Sequence, residues 1–261
     1  MAKRLFDMVM AAIGLLVASP VLLVIMLLVW KEDRHSPFYV APRVGRGGRV
    51  FRMVKMRSMR INADREGGSS TSNADRRITP VGHFIRRYKI DEITQLWNVL
   101  VGDMSLVGPR PQVQSGVEMY TRQERELLAA RPGITDLASI VFADEGSILQ
   151  HSRDPDADYD CLIRPWKSRL GLIYVHGHSM LLDIRLIFAT LVAIVSRHSA
   201  LRQVQSMLKQ LDAPAEVIVV AARDRVLVPG RPPDGDFYPR AHYANGVATP
   251  DSMGLKSKRV S

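Results

Sequence analysis

The chain of 261 residues holds one cysteine, Cys161, so no disulfide can form within it. No His-Asp or His-Asn constellation is legible around that thiol, and a small core residue is the reading that fits. Walker-type glycine loops, zinc-ligand spacings and the nucleophile-elbow pattern are missing. His176 and His178 stand next but one without a further ligand cluster, which argues against a metal pair. No nucleic-acid-binding motif occurs, and the basic residues scatter through loops rather than striping a helix, so nucleic acid is not an expected partner. Charge is also absent from Met8 to Trp30.

What is present is a chain 46% hydrophobic and 24% charged, which excludes a disordered polymer. The net charge of +10 favours phosphate-bearing ligands or an anionic lipid surface. At ~1.5 Å per residue, the uncharged run could reach across a hydrocarbon core of ~30 Å, and it is too long for a signal-peptide core. Ser19-Pro20 interrupts it. Proline removes a backbone donor and kinks the helix, and the Ser19 hydroxyl can satisfy a freed carbonyl. Lys3 and Arg4 precede the run, and Lys31 and Arg34 follow it. Basic flanks mark the cytoplasmic side, so basic residues at both ends predict a re-entrant hairpin of two half-helices bent at Pro20. Asp7 is placed to pair with Lys3 or Arg4.

Beyond Trp30, apolar alternation at Phe38 and Val40, the basic glycine-rich stretch Arg43 to Arg49 and the segment Val50 to Arg57 predict two short strands joined by a turn. Phe51, Met53 and Lys55 then share one face, where Lys55 calls for an anionic partner. Residues 61–78 read as a solvated loop. Ile93, Leu96, Trp97 and Leu100 fall at helical spacing, with Asp91 and Glu92 in the first turn, where the helix dipole favours carboxylates. The helix should stop near Gly102, ahead of a short buried strand or turn at Met104 to Val107. Prolines on both sides hold Arg110 extended and suit it to clamp phosphate oxygens. Arg131 to Thr135 reads as a turn.

In this order, several segments resemble the monotopic phosphoglycosyl transferases, the bacterial sugar transferase family. They are Lys3 to Asp7, the apolar run broken at Ser19-Pro20, Arg43 to Arg46, Phe51 to Met59, Ile90 to Leu100, Gly102 to Pro111 and Arg131 to Thr135. The resemblance covers roughly residues 1 to 200. It implies that Asp91 is the nucleophile that attacks the β-phosphate of a UDP-sugar, releases UMP and carries the phosphosugar until undecaprenyl phosphate takes it. It also implies Mg²⁺ held by Glu92, and Lys55, Arg86 and Arg110 as cations around the phosphates. A covalent intermediate divides one hard step into two, and fixed cations offset the repulsion between two polyanions. The run Asp136 to Glu145 departs from the Trp-Ala-Gln-Val-Asn-Gly sequence of many members, which leaves the sugar open.

The pattern Lys167, Tyr174, Ser179, Asp183 resembles the family's C-terminal segment, with Asp183 a structural partner for a basic residue. Met180 to Arg197 should lie at the interface or pack on the core. Val217 to Val228 predicts a small hairpin, and residues 229–261 a loose tail. The expected architecture is α/β, mostly α. It comprises a re-entrant membrane helix (1–35), a catalytic domain with short strands and interfacial helices (36–199) and a C-terminal extension (200–261). The expected location is the cytoplasmic face of a bacterial inner membrane, with anionic lipids as partners and a homodimer as an allowed arrangement. The rival reading is a non-catalytic membrane-anchored adaptor, which gives Asp91 no task.

Overall fold

The computed structural model describes residues 1–63, 75–150 and 152–235. Residues 64–74 of the expected loop and 236–261 of the expected tail lie outside the described residues. Helix α1 (Ala2–Asp33) is followed by β1 (Phe38–Val44), β2 (Val50–Met56), α2 (Pro80–Arg87), α3 (Ile90–Ile93), α4 (Leu96–Val101), β3 (Ser105–Val107), α5 (Gln114–Glu118) and β4 (Gly133–Thr135). The second half is helical: α6 (Leu137–Val141), α7 (Glu145–Ile148), α8 (Pro155–Asp158), α9 (Arg164–Gly177), α10 (Met180–Val195), α11 (Arg197–Gln210) and α12 (Ala215–Ala222). Among the described residues the fold is mostly helical, with two small two-stranded sheets: β1 and β2 antiparallel, β3 and β4 parallel.

Helix α1 is long and apolar enough to cross a membrane by length and composition. It is one helical run with Pro20 inside it, where two separate half-helices were expected. The carbonyl that Pro20 cannot serve belongs to Leu16, and Ser19 Oγ donates to it at 2.7 Å, so the local loss is made good. Asp7, Ala11, Leu22, Ile25 and Val29 form a buried stripe, while Leu16 and Val17 are about three-quarters exposed, at 75% and 73%. Leu22, Ile25 and Val29 pack on Met56, Ile85 and Ile90, and Ala11 packs with Met53, Val99 and Met104. Both halves of α1 therefore rest on the segment that carries the hairpin and α2 to β3.

The ends of α1 are pinned by polar contacts. Asp7, almost fully buried, accepts from Ser105 Oγ (2.8 Å) and from the Leu106 amide (3.3 Å), so its partner is β3 and not Lys3 or Arg4. Arg4 donates to the Val99 and Leu100 carbonyls, unpaired acceptors at the end of α4. Lys3 pairs with buried Asp183, which also accepts from Tyr174 Oη at 2.7 Å. At the other end, Asp33 pairs with Arg57 and Glu32 accepts from the Val81 amide.

The main core is built from α6, α9, α10, α11 and α12, with Leu137, Leu170, Leu186, Val204 and Leu208 fully buried. One face of α10 enters it, and the other leaves Leu181, Ile184, Phe188, Leu191 and Ile194 exposed. The hairpin expected over Val217 to Val228 is instead the helix α12 ending at Ala222, followed by irregular chain. Val217 and Ala221, four residues apart, are buried in the core, and this packing overrides the strand preference of the valine-rich run. Cys161 is also fully buried, and burial pushes its thiol up to about 12, consistent with a core role.

Candidate active site

The strands Val50–Met56 and Phe38–Val44 pair in the register Tyr39↔Lys55, Ala41↔Met53, Arg43↔Phe51, so these six side chains share one face. The expected helix from Ile90 to Leu100 is divided into α3 and α4. The Thr94 hydroxyl donates to the Asp91 carbonyl (3.1 Å), in competition with the backbone, and the connecting bonds tighten to Gln95 N–Glu92 O and Trp97 N–Thr94 O. The buried face is consequently Ile90, Thr94, Gln95, Asn98 and Val99, and Trp97 of the helically spaced apolar set is 55% exposed.

Those buried polar residues fix the site. Asn98 Oδ1 accepts from the Val54 amide (2.9 Å), and Nδ2 donates to the Arg52 carbonyl (2.8 Å). Thr94 Oγ1 also reaches the Val54 carbonyl at 3.3 Å. The helical segment is thereby locked to β2, which places Asp91 beside Lys55: Nζ to Oδ2 is 4.0 Å. Gly102 closes α4 in the left-handed conformation (φ 100°), as the sequence indicated, and turns the chain into β3. Parallel pairing of β3 with Gly133–Thr135, which read as a turn in the sequence, then presents Pro109-Arg110-Pro111. A Cβ on Gly133 would lie 2.1 Å from the Gly108 amide nitrogen, so only glycine permits this approach. Arg110 Nη2 donates to Glu92 Oε1 at 2.7 Å.

Lys55, Arg86, Asp91, Glu92 and Arg110 all line one cleft of ≈2010 Å³, larger than the pocket a single small ligand needs. Arg86 sits on its wall at the end of α2, without an ion pair to either carboxylate. Asp183 is elsewhere, buried beneath β3, where it pairs with the basic residue Lys3 and accepts from Tyr174. Ser19 and Pro20 lie on α1, away from the cleft lining.

The two acids are driven apart. Burial, reinforced by the Glu92 charge, raises the Asp91 carboxyl above its ordinary range, against the pull of Lys55. Its Oδ1 is buried without a hydrogen-bond partner. Burial also acts upward on Glu92, but Arg110 and Lys55 outweigh it and hold the group at about 2. Burial and the Arg110 charge lower Lys55 to about 8. Glu92 raises Arg110 further, so this arginine stays charged.

A second ion pair on the cleft, Lys167–Glu145, joins residues 22 positions apart, a pairing that no local sequence signal announces. Burial works against the charge of each and is outweighed: Lys167 lowers Glu145, and Tyr159 together with Glu145 raises Lys167. The place of Arg43 on the Lys55 face likewise follows only from the hairpin register.

For Mg²⁺, Asp91 Oδ1 is an orphaned oxygen and Glu92 commits only Oε1 to Arg110. Among the described residues no group of three or more His, Cys, Asp or Glu side chains converges. Magnesium commonly takes one or two carboxylates together with substrate phosphates and water, and this donor set fits that use.

A profile described as bacterial sugar transferase matches residues 1–197. The chain belongs to the bacterial sugar transferase family. A relative in Aeromonas hydrophila, UDP-N-acetylgalactosamine-undecaprenyl-phosphate N-acetylgalactosaminephosphotransferase, is 34% identical over 76% of this chain and 44% of its own length. Undecaprenyl-phosphate glucose phosphotransferase of Komagataeibacter xylinus is 36% identical over 72% of this chain and 35% of its own. The chain thus spans less than half of these two longer relatives. The exopolysaccharide production protein ExoY of Rhizobium meliloti is 34% identical over 74% of this chain and 85% of its own length. The sugar transferase match ends near the start of α11, yet α11 and α12 complete the core.

Proposed function

We propose that this protein transfers a sugar 1-phosphate from a UDP-sugar to undecaprenyl phosphate, the first lipid-linked step of a bacterial surface glycan. The observation that carries this reading is the Asp91 carboxylate, set 4.0 Å from Lys55 with Oδ1 buried and unpartnered. A carboxylate made more basic by burial, with an adjacent ammonium that favours its charged form, is an activated nucleophile. Asp91 attacks the β-phosphorus of the donor, and the phosphorus–oxygen bond to UMP breaks with its electron pair leaving on UMP. A phosphate oxygen of undecaprenyl phosphate then attacks the same phosphorus, the bond to Asp91 breaks, and the carboxylate is restored. Arg110 and Lys55 counter the charge spread over the phosphoryl oxygens, and Arg86 extends the cationic wall. Glu92, with Asp91 beside it, would hold Mg²⁺, which when bound would supply charge neutralisation on the donor phosphates.

We also propose that α1 enters the membrane and returns to the cytoplasmic side. Both of its ends are tied to one catalytic body, through Asp7–Ser105 and through Asp33–Arg57. A straight span would carry one of them across ~30 Å of hydrocarbon. The exposed apolar face of α10 and the net charge of +10 suit an anionic lipid surface. Cysteines introduced singly at Ala2 and Lys31 should both resist a membrane-impermeant thiol reagent in intact cells; labelling of either sinks the re-entrant topology.

The transfer is tested by UMP release from a panel of UDP-sugars with undecaprenyl phosphate and Mg²⁺, together with the intact mass of the protein after donor alone. Wild type should release UMP and gain one phosphosugar, while Asp91→Asn should lose turnover by at least ~10³-fold. Equal release by both removes Asp91 as nucleophile and returns the adaptor reading.

A further inference from the structure

Among the cations that line the cleft, Arg86 and Arg87 on α2 form no ion pair among the described residues, and Arg43 is the cation on the Lys55 face of the hairpin that also forms none. Lys55 faces Asp91, Arg110 is bonded to Glu92, and Lys167 is bonded to Glu145. Arg43 lines the same cleft, yet its one hydrogen bond among the described residues runs from Nη1 to the carbonyl of its neighbour Pro42, at 3.1 Å. No carboxylate among the described residues forms an ion pair with it. Its setting does not favour its charge: burial lowers its pKa and Arg110 adds to the effect, with Tyr39 opposing. A guanidinium half withdrawn from water, near a like charge and without a counter-ion, is a poor choice for stability. It suits a place where an anion arrives with the ligand.

We propose that Arg43 binds a phosphate monoester in the cleft, beside the phosphoryl group that reacts at Lys55 and Asp91. This rests on the transferase reading above. Arg43 stands four residues along β1 from Tyr39, the partner of Lys55, on the same face of the hairpin. At ~3.3 Å per residue the two backbone positions are ~13 Å apart, a gap that two long side chains narrow from both ends. A ligand phosphate held by Arg43 is thus a neighbour of the reacting phosphoryl group, not that group itself. Each half of the reaction presents one such monoester: the nucleoside monophosphate that leaves, or the polyprenyl monophosphate that arrives. The planar fork of arginine matches two oxygens of either.

The test uses the full chain in lipid nanodiscs, as wild type, Arg43→Ala, Arg43→Lys and Arg49→Ala. Arg49 is an exposed arginine of the same hairpin turn and is not on the cleft lining. UMP binding is measured by titration without turnover, and KM for undecaprenyl phosphate at saturating donor. Arg43→Ala should weaken one of the two by about ten-fold or more, with Arg43→Lys between and Arg49→Ala unchanged. Weakened UMP binding assigns the leaving phosphate; a raised acceptor KM assigns the arriving one. Both values within about two-fold of wild type, or an equal loss in Arg49→Ala, overturn the proposal. Matching melting temperatures separate lost binding from lost fold, and Arg43→Lys carries the test if the alanine variant does not fold. A wild type that binds UMP in an Arg43-dependent way but transfers nothing defeats the transferase reading and leaves this site standing.

Discussion

Lys55 Nζ stands 4.0 Å from Asp91 Oδ2, while the other oxygen of that carboxylate is buried with no hydrogen-bond partner. The pair is close enough for attraction and too far apart for a hydrogen bond. Asp91 is therefore charged-compensated without being capped, the condition a nucleophilic oxygen needs. Glu92, one residue on, is bonded to Arg110 and held at about 2, so the two adjacent acids differ in basicity because their partners differ.

The first prediction concerns pH. Lys55 is lowered from its ordinary value to about 8, so it is charged below that pH and neutral above it. Loss of its charge removes both the compensation of Asp91 and a phosphate contact. The profile of kcat/KM for the donor should fall as pH rises through about 8. In Lys55→Arg this alkaline limb should vanish, whatever the absolute rate, because the guanidinium stays charged. A wild-type profile that is flat from neutral pH into the alkaline range would contradict the role given to Lys55.

Arg110→Ala should weaken both catalysis and fold. Glu92 titrates in the folded protein at about 2, below its ordinary 4.5. A depressed carboxylate contributes stability that is present above the ordinary value and is lost as pH falls toward the folded one. Removing Arg110 should therefore cost roughly 1–3 kcal/mol at neutral pH, discounted for the partial exposure of the pair. Thermal melting of wild type and variant should show the gap narrowing as pH drops below 4.5. A gap that stays constant with pH would assign the loss to packing instead.

Gly133→Ala should be among the most damaging single-methyl additions. Its Cβ would meet the Gly108 amide nitrogen at 2.1 Å and the Gly108 carbonyl oxygen at 2.5 Å, so β3 and β4 must separate. The expected cost is ~2 kcal/mol or more, with turnover lost because Arg110 follows Gly108. Gly47→Ala, at φ +66° with nothing within 4 Å, should cost only ~1 kcal/mol and spare activity. Melting temperatures and UMP release check both; an intact Gly133→Ala enzyme would refute the close approach.

Asn98→Ala should act at a distance from the substrate. It strips partners from the Val54 amide and the Arg52 carbonyl and frees α4 from β2. Destabilisation of ~2–4 kcal/mol is expected, along with a fall in kcat larger than any change in UMP affinity. Melting and single-turnover kinetics report the two effects separately.

Much of the site was legible because it is carried by local signals. The Lys55 strand, the acidic pair at 91 and 92, the stop at Gly102 and the proline-flanked Arg110 are all readable from alternation, turn residues and spacing. The division of the Ile90–Leu100 helix was not legible. It depends on the Thr94 hydroxyl and on the Asn98 amide bonding a strand more than forty positions earlier. Helical spacing groups Ile93, Leu96, Trp97 and Leu100 on one apolar face, while the observed packing turns Gln95 and Asn98 inward and Trp97 out.

The sequence by itself determined the apolar length of α1, the hairpin, the stop at Gly102 and the proline-flanked setting of Arg110. These are properties of neighbouring residues, set by backbone sterics and side-chain periodicity. Tertiary structure alone decided that Asp7 grips β3, that Asp183 anchors Lys3 and that the valine-rich run at 217–220 is a helix. It also decided that Arg43 stands on the cleft without a counter-ion among the described residues. Each of these outcomes depends on which distant group desolvates or pairs with a side chain, and that energy exists only once the chain has closed on itself.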